Sequence, residues 1–208
     1  MRSLAILLTL LAAGPASAGS LSIALRTPAG KPVANAVVTV RPQDYAGRGP
    51  IRFPWPYTMA QRGMQFEPFV LIVPVGAEVA FPNADPFKHH VFSFSPAKTF
   101  ELKLYGREAT RVVKFDKAGI VTLGCNIHDN MIAYVDVVDT PFVAKTSETG
   151  EAQIDDLPPG PAHVAIWHSS LRAPHEQVSS DLAIPASGTA RLATTLDLRA
   201  TALRRGGY

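Results

Sequence analysis

The sequence predicts an all-β protein, and three observations carry that reading. Short runs alternate apolar and polar residues, prolines (18) and glycines (15) punctuate them, and helical periodicity is hard to find. Residues 21–26 (Leu-Ser-Ile-Ala-Leu-Arg) alternate as a half-buried strand should. Residues 27–32 (Thr-Pro-Ala-Gly-Lys-Pro) form a turn, and 33–40 a second strand that Pro42 ends. Residues 43–57 are irregular and proline-rich, which suits a covering loop or linker.

From Met64 a new run of strands begins. Val75-Gly76 marks a turn, 79–81 a strand, 82–88 a loop, and 89–94 alternates again. Strands follow at 100–105 and 111–115, with a turn at 116–119. Residues 120–125 lead into the segment Gly124-Cys125-Asn126-Ile127-His128-Asp129-Asn130-Met131, and 132–138 lead out of it. Beyond Pro141 the pattern changes. Residues 149–160, 163–167 and 192–198 read as closing strands.

The N-terminus reads as an export signal. A short basic start (Met1-Arg2-Ser3) precedes an apolar run over 4–13, too short to span a bilayer, and Pro15-Ala16-Ser17-Ala18 supplies a small-residue cleavage site. The mature chain is expected to begin at Gly19, to lie in the periplasm and to carry no membrane span. About 190 residues remain, enough for one large or two small domains. The formal charge is +3, and no basic-aromatic patch suggests nucleic acid.

The chain has one cysteine, so no internal disulfide can form, and an exported thiol needs burial or a metal to protect it. Cys125 is followed by His128 and Met131, which places a thiolate, an imidazole and a thioether close together. A soft, redox-active metal selects that set. Copper leads, because a trigonal His₂Cys site with a weak axial Met is the blue-copper geometry. A second histidine comes from His89 or His90. Successive strand residues face opposite ways, so one of the two ligates and not both. Structural zinc favours more thiolates, and no second cysteine is present for a binuclear copper centre. Asp85 and Asp129 read as solvated loop carboxylates, and His163, His168 and His175 as surface residues.

Residues 64–138 resemble a cupredoxin of the amicyanin or plastocyanin type. The resemblance rests on Val75-Gly76-Ala-Glu-Val79, Asn83, His89, the Phe115–Gly119 turn and Cys125-x-x-His128-x-x-Met131. It implies one type 1 copper held by His89, Cys125, His128 and Met131. His90 stands where such proteins often have an asparagine tying the two ligand loops together. The opening hairpin and closing strands are similar to carboxypeptidase-regulatory-like, or transthyretin-like, sandwiches. The chain as a whole resembles methylamine-utilisation-type periplasmic proteins. The expected fold is therefore a cupredoxin-like Greek-key sandwich over 61–140, inserted between two halves (19–60 and 141–200) of a transthyretin-like sandwich. The signal occupies 1–18 and a tail 201–208.

Two functions follow. In the first the chain is a one-electron carrier, not an enzyme, between periplasmic redox proteins such as a dehydrogenase and a c-type cytochrome. Pro86, Phe87, Ile127 and Ile132 would form its docking patch. In the alternative it is a non-redox copper carrier or accessory binding module, with its interface on 50–57 and 164–167.

Overall fold

The structure, a computed structural model, describes residues 18–47 and 49–199. All of the export segment but Ala18, and the tail at 201–208, lie outside the described residues. The described chain is all-β, with sixteen strands and one short 3₁₀ turn at Pro174–Glu176. No helix among the described residues is long and apolar enough to cross a membrane.

The strands enclose two cores. The inner one belongs to β3 (Ala60–Arg62), β4 (Gln65–Glu67), β5 (Val70–Pro74), β6 (Ala77–Pro82), β7 (His89–Ser95), β8 (Lys98–Tyr105), β9 (Thr110–Phe115), β10 (Gly119–Cys125) and β11 (Ile132–Val138). Five of these form one sheet in the order β5-β11-β10-β7-β8, while β6 pairs with β9 and β3 with β4. The core between them contains Val79, Phe81, Phe115, Val121, Leu123, Ala133 and Val135. Strand period two puts alternate residues of β10 and β11 into it, and burial of each large apolar side chain contributes about 1.5–3 kcal/mol.

The outer core belongs to β1 (Gly19–Arg26), β2 (Val37–Pro42), β12 (Val143–Lys145), β13 (Glu151–Leu157), β14 (Gly160–Trp167), β15 (Gln177–Ile184) and β16 (Thr189–Thr195). Their sheets run β13-β1-β16 and β12-β2-β14-β15. β1 alternates buried and half-buried residues along its length, so Leu21, Ile23 and Leu25 fill this second core. The segment from β3 to β11 thus sits in sequence between β2 and β12, which are themselves hydrogen-bonded neighbours.

The two packings meet through Val37 and Trp167 on one side and Val70, Ile72 and Val138 on the other. Trp167 stands edge-on to Tyr134, ring centres 5.0 Å apart. Residues 164–167 are buried, so they offer no surface for a partner, contrary to the interface expected of them. Nearby, Trp55 Nε1 donates to Ile72 O (2.9 Å) and Lys145 Nζ to Val70 O (2.9 Å). These two side chains cap the free edge of β5, which would otherwise offer unpaired carbonyls to another strand.

Asp136, on β11, also faces this junction and is 7% exposed. Burial pushes its pKa up to about 7, against the pull of Arg41 and with the help of Asp139. The folded chain therefore holds a proton that the unfolded chain releases above the ordinary value of 3.8. Between those two values the native state binds more protons, so stability falls as pH rises through the window. Thermal melts are expected to lose on the order of 2–4 kcal/mol of stability between pH ~4 and ~7 from this group. Asp136→Asn should flatten that slope; an unchanged slope would remove Asp136 as its source.

Candidate metal centre

The site is built where two inner loops meet at one end of the five-stranded sheet. Cys125 ends β10, where Gly124 pairs with Phe92 and Cys125 with Val91 of β7. The chain then makes two successive turns: His128 N donates to Cys125 O (3.4 Å) and Met131 N to His128 O (3.0 Å). Hydrogen bonds of this i to i+3 kind bring every third residue to one side. That is the physical meaning of the Cys-x-x-His-x-x-Met spacing. Gly124 leaves room for the Phe92 ring, since a Cβ on it would stand 2.7 Å from that ring and push it aside.

His89 opens β7 and is fully buried, and its Nδ1 lies 3.6 Å from Cys125 Sγ. His128 Nδ1 lies 3.6 Å from the same sulfur. The three ligand atoms all fall within 4.8 Å of one another. Donors about 2.0–2.3 Å from a shared ion, subtending roughly 115° at it, stand about 3.6 Å apart. The donor spacing and chemistry of the set therefore fit a thiolate- and imidazole-binding metal such as copper. Met131 is buried (1% exposed) in the same core as Cys125 and Tyr105.

His90 turns the other way, and its Nε2 lies 2.8 Å from Glu101 Oε1. The loops are tied instead by main chain, Asn126 N donating to His90 O (3.0 Å). His90→Ala should accordingly leave copper binding and colour unchanged. Bleaching by His90→Ala, with His89→Ala still coloured, would move the ligand role to His90.

Asp85 corrects a sequence expectation. It is 5% exposed, not solvated, and its Oδ2 lies 2.8 Å from His89 Nε2. Gly63 N donates to its Oδ1 (2.6 Å) and Met64 N to its Oδ2 (3.1 Å). Both donors sit in the turn of the β3–β4 hairpin, with φ of 58° and 56°. Burial alone would raise the Asp85 pKa, but the Met64 amide, the His89 ring and the Gly63 amide together hold it below its ordinary value. An ionised carboxylate only accepts, so His89 Nε2 carries the proton and Nδ1 presents its lone pair to the site. Sequence spacing alone gave no signal for this contact beyond the i, i+4 pair.

A buried polar net supports the loop. Asn83 Nδ2 donates to Phe87 O and Tyr105 O, while Asn83 Oδ1 accepts from Asp85 N. The Tyr105 hydroxyl donates to Gln61 Oε1 (2.6 Å), and burial pushes its pKa up. Burial and then the adjacent His89 ring lower the His128 pKa, against the Asp85 charge, which favours the neutral imidazole that can ligate. Phe87 packs on both imidazoles, at 5.3 and 5.5 Å between ring centres. Of the remaining candidates, Asp129 and His175 are exposed, His163 pairs with Asp181, and His168 is half-buried, accepting the Ser170 amide.

No family profile matches the chain, and no curated protein does. Solved structures similar to part of it include a copper-containing nitrite reductase from Thermus scotoductus SA-01, at 25% identity and TM-score 0.39. That match covers 48% of this chain and only 26% of the reductase. A purple cupredoxin from Nitrosopumilus maritimus matches at 19% identity and TM-score 0.36, covering 39% of this chain and 98% of that one. The reduced W45Y mutant of amicyanin matches at 21% identity and TM-score 0.37, covering 49% and 98% respectively.

Proposed function

We propose that the chain is a periplasmic type 1 copper protein that passes single electrons between redox partners. The convergence of His89, Cys125 and His128, each imidazole nitrogen 3.6 Å from the sulfur, carries this reading. Cys125 supplies the thiolate, His89 and His128 the imidazoles, and Met131 the weak axial thioether. Copper held by such a set supplies a one-electron couple between Cu(I) and Cu(II). The chain's own residues fix the geometry from two sides: the turn at 63–64 holds Asp85 and so His89, and the β7–β10 pairing holds Cys125.

Among the three converging donors His128 is the least buried, and its ring lies 5.5 Å from that of exposed Phe87. Ile127, Pro86 and Ile132 are also apolar and exposed, and in this reading they complete the docking patch. A small patch over the ligand suits the brief encounters of electron carriers, here with a dehydrogenase as donor and a c-type cytochrome as acceptor. No substrate is transformed, so the chain is not itself an enzyme. Strands β1, β2 and β12 to β16 form the carboxypeptidase-regulatory-like (transthyretin-like) module of a methylamine-utilisation-type protein, into which the copper unit is inserted.

The test is direct. Purified protein titrated with Cu(II) should develop intense thiolate-to-copper charge-transfer absorption and cycle reversibly with a one-electron mediator. A colourless protein that takes up only Cu(I) would instead mark a non-redox copper carrier.

A further inference from the structure

A cavity of about 530 Å³ opens at the junction of the two packings, and none of the three converging metal donors lines it. Its walls come from both: β11 and the turns at 95–97 and 117–120 on one side, β2, β14 and residues 175–177 on the other. The lining combines Asp136, Thr39, Arg41 and Lys117 with apolar Ile120 and Trp167.

Asp136 is the telling group. It is more than nine-tenths buried, yet among the described residues no hydrogen bond or ion pair reaches its carboxyl. Arg41 is the nearest cation in charge terms, but its Nε (3.1 Å) and Nη2 (2.6 Å) are both taken by Asp139. The residue is buried but its carboxyl lines the cavity, so the place for a donor that the protein does not supply is the cavity itself. The Trp167 Nε1, in the same wall, likewise has no partner among the described residues. At the rim Lys117 is exposed and makes no ion pair among the described residues. One unpaired carboxyl inside, which a bound ammonium would ionise, and one unpaired cation at the rim, over an apolar floor, complement a ligand carrying both charges. The volume lies within the range of small-molecule sites.

We propose that this cavity binds a small zwitterion of the amino-acid type, its ammonium on Asp136 and its carboxylate toward Lys117 and the Thr39 hydroxyl. The apolar side chain of the ligand rests on Ile120 and Trp167. Both packings contribute contacts, so the bound molecule clasps one to the other.

Calorimetric titration of the whole chain with leucine, isocaproate (no ammonium) and isoamylamine (no carboxylate) tests this. Leucine should bind with Kd of about 1 mM or tighter, and each half-charged analogue about tenfold more weakly. Asp136→Asn should lose at least about tenfold in leucine affinity while keeping the copper-dependent colour. Asp136→Leu should lose it too and melt higher, because a buried unpaired carboxyl has gone, which separates a binding role from a folding one. Absence of leucine binding, wild-type binding by Asp136→Asn, or isoamylamine binding as tightly as leucine would each overturn the proposal.

Discussion

Replacing Cys125 with serine should erase the visible charge-transfer absorption of the Cu(II)-loaded protein. Copper affinity should drop by more than the ~10–100-fold that loss of an outer partner costs, since in the proposed site a ligand itself is lost. Cys125 is the chain's only sulfur donor of thiolate type, 4% exposed and aimed between two imidazole nitrogens. Serine is close in size but presents a hard, protonated oxygen that does not donate charge to copper as a thiolate does. The metal-free fold should suffer little, by about 1–3 kcal/mol for placing a hydroxyl in the thiol's pocket. Absorption spectra with far-UV circular dichroism as a folding control decide the matter. Persistence of the band in Cys125→Ser would exclude the sulfur as ligand.

The second large effect is expected at Asp85. Truncation to alanine strands three donors at once: the Gly63 and Met64 amides and the His89 Nε2–H. Removing one member of a buried charged network typically costs about 3–5 kcal/mol, because the remaining groups stay buried without partners. Copper affinity should fall about 10–100-fold as the His89 ring loses its anchor. Asp85→Asn keeps a side-chain oxygen for the ring or one amide and should lose less on both counts. Denaturant melts of the metal-free protein and competition with a chelator measure the two effects separately. Alanine and asparagine variants matching wild type in both assays would show that the carboxylate is not what holds the ring.

Legibility from the sequence followed the strength of the local signal. Strands with clear alternation, such as β1, β7 and β10, stood out because each buries one face and wets the other. β15 gave no such signal, since Gln177 to Ala183 are exposed or half-buried and the strand is held mainly by pairing with β14. The short β3 was hidden for another reason. Its three residues include one fully buried polar side chain, Gln61, whose amide nitrogen donates to Met59 O and whose oxygen accepts from Tyr105. At the site, the approach of Cys125 and His128 is legible because the turn between them repeats every three residues. Asp85 reads as solvated in the sequence because nothing near it reveals that the hairpin turn at Gly63 and Met64 closes over it.

The arrangement of β1 has a consequence for biogenesis. Its neighbours in the sheet are β13 and β16, and Ser20 pairs with Thr189 near the far end of the chain. Leu21, Ile23 and Leu25 are therefore made well before the strands they pair with. Closing so long a loop is entropically slow, but the intervening strands pair mostly with near neighbours and shorten it once they condense. Until those later strands form, β1 is an unpaired apolar ribbon open to mispairing.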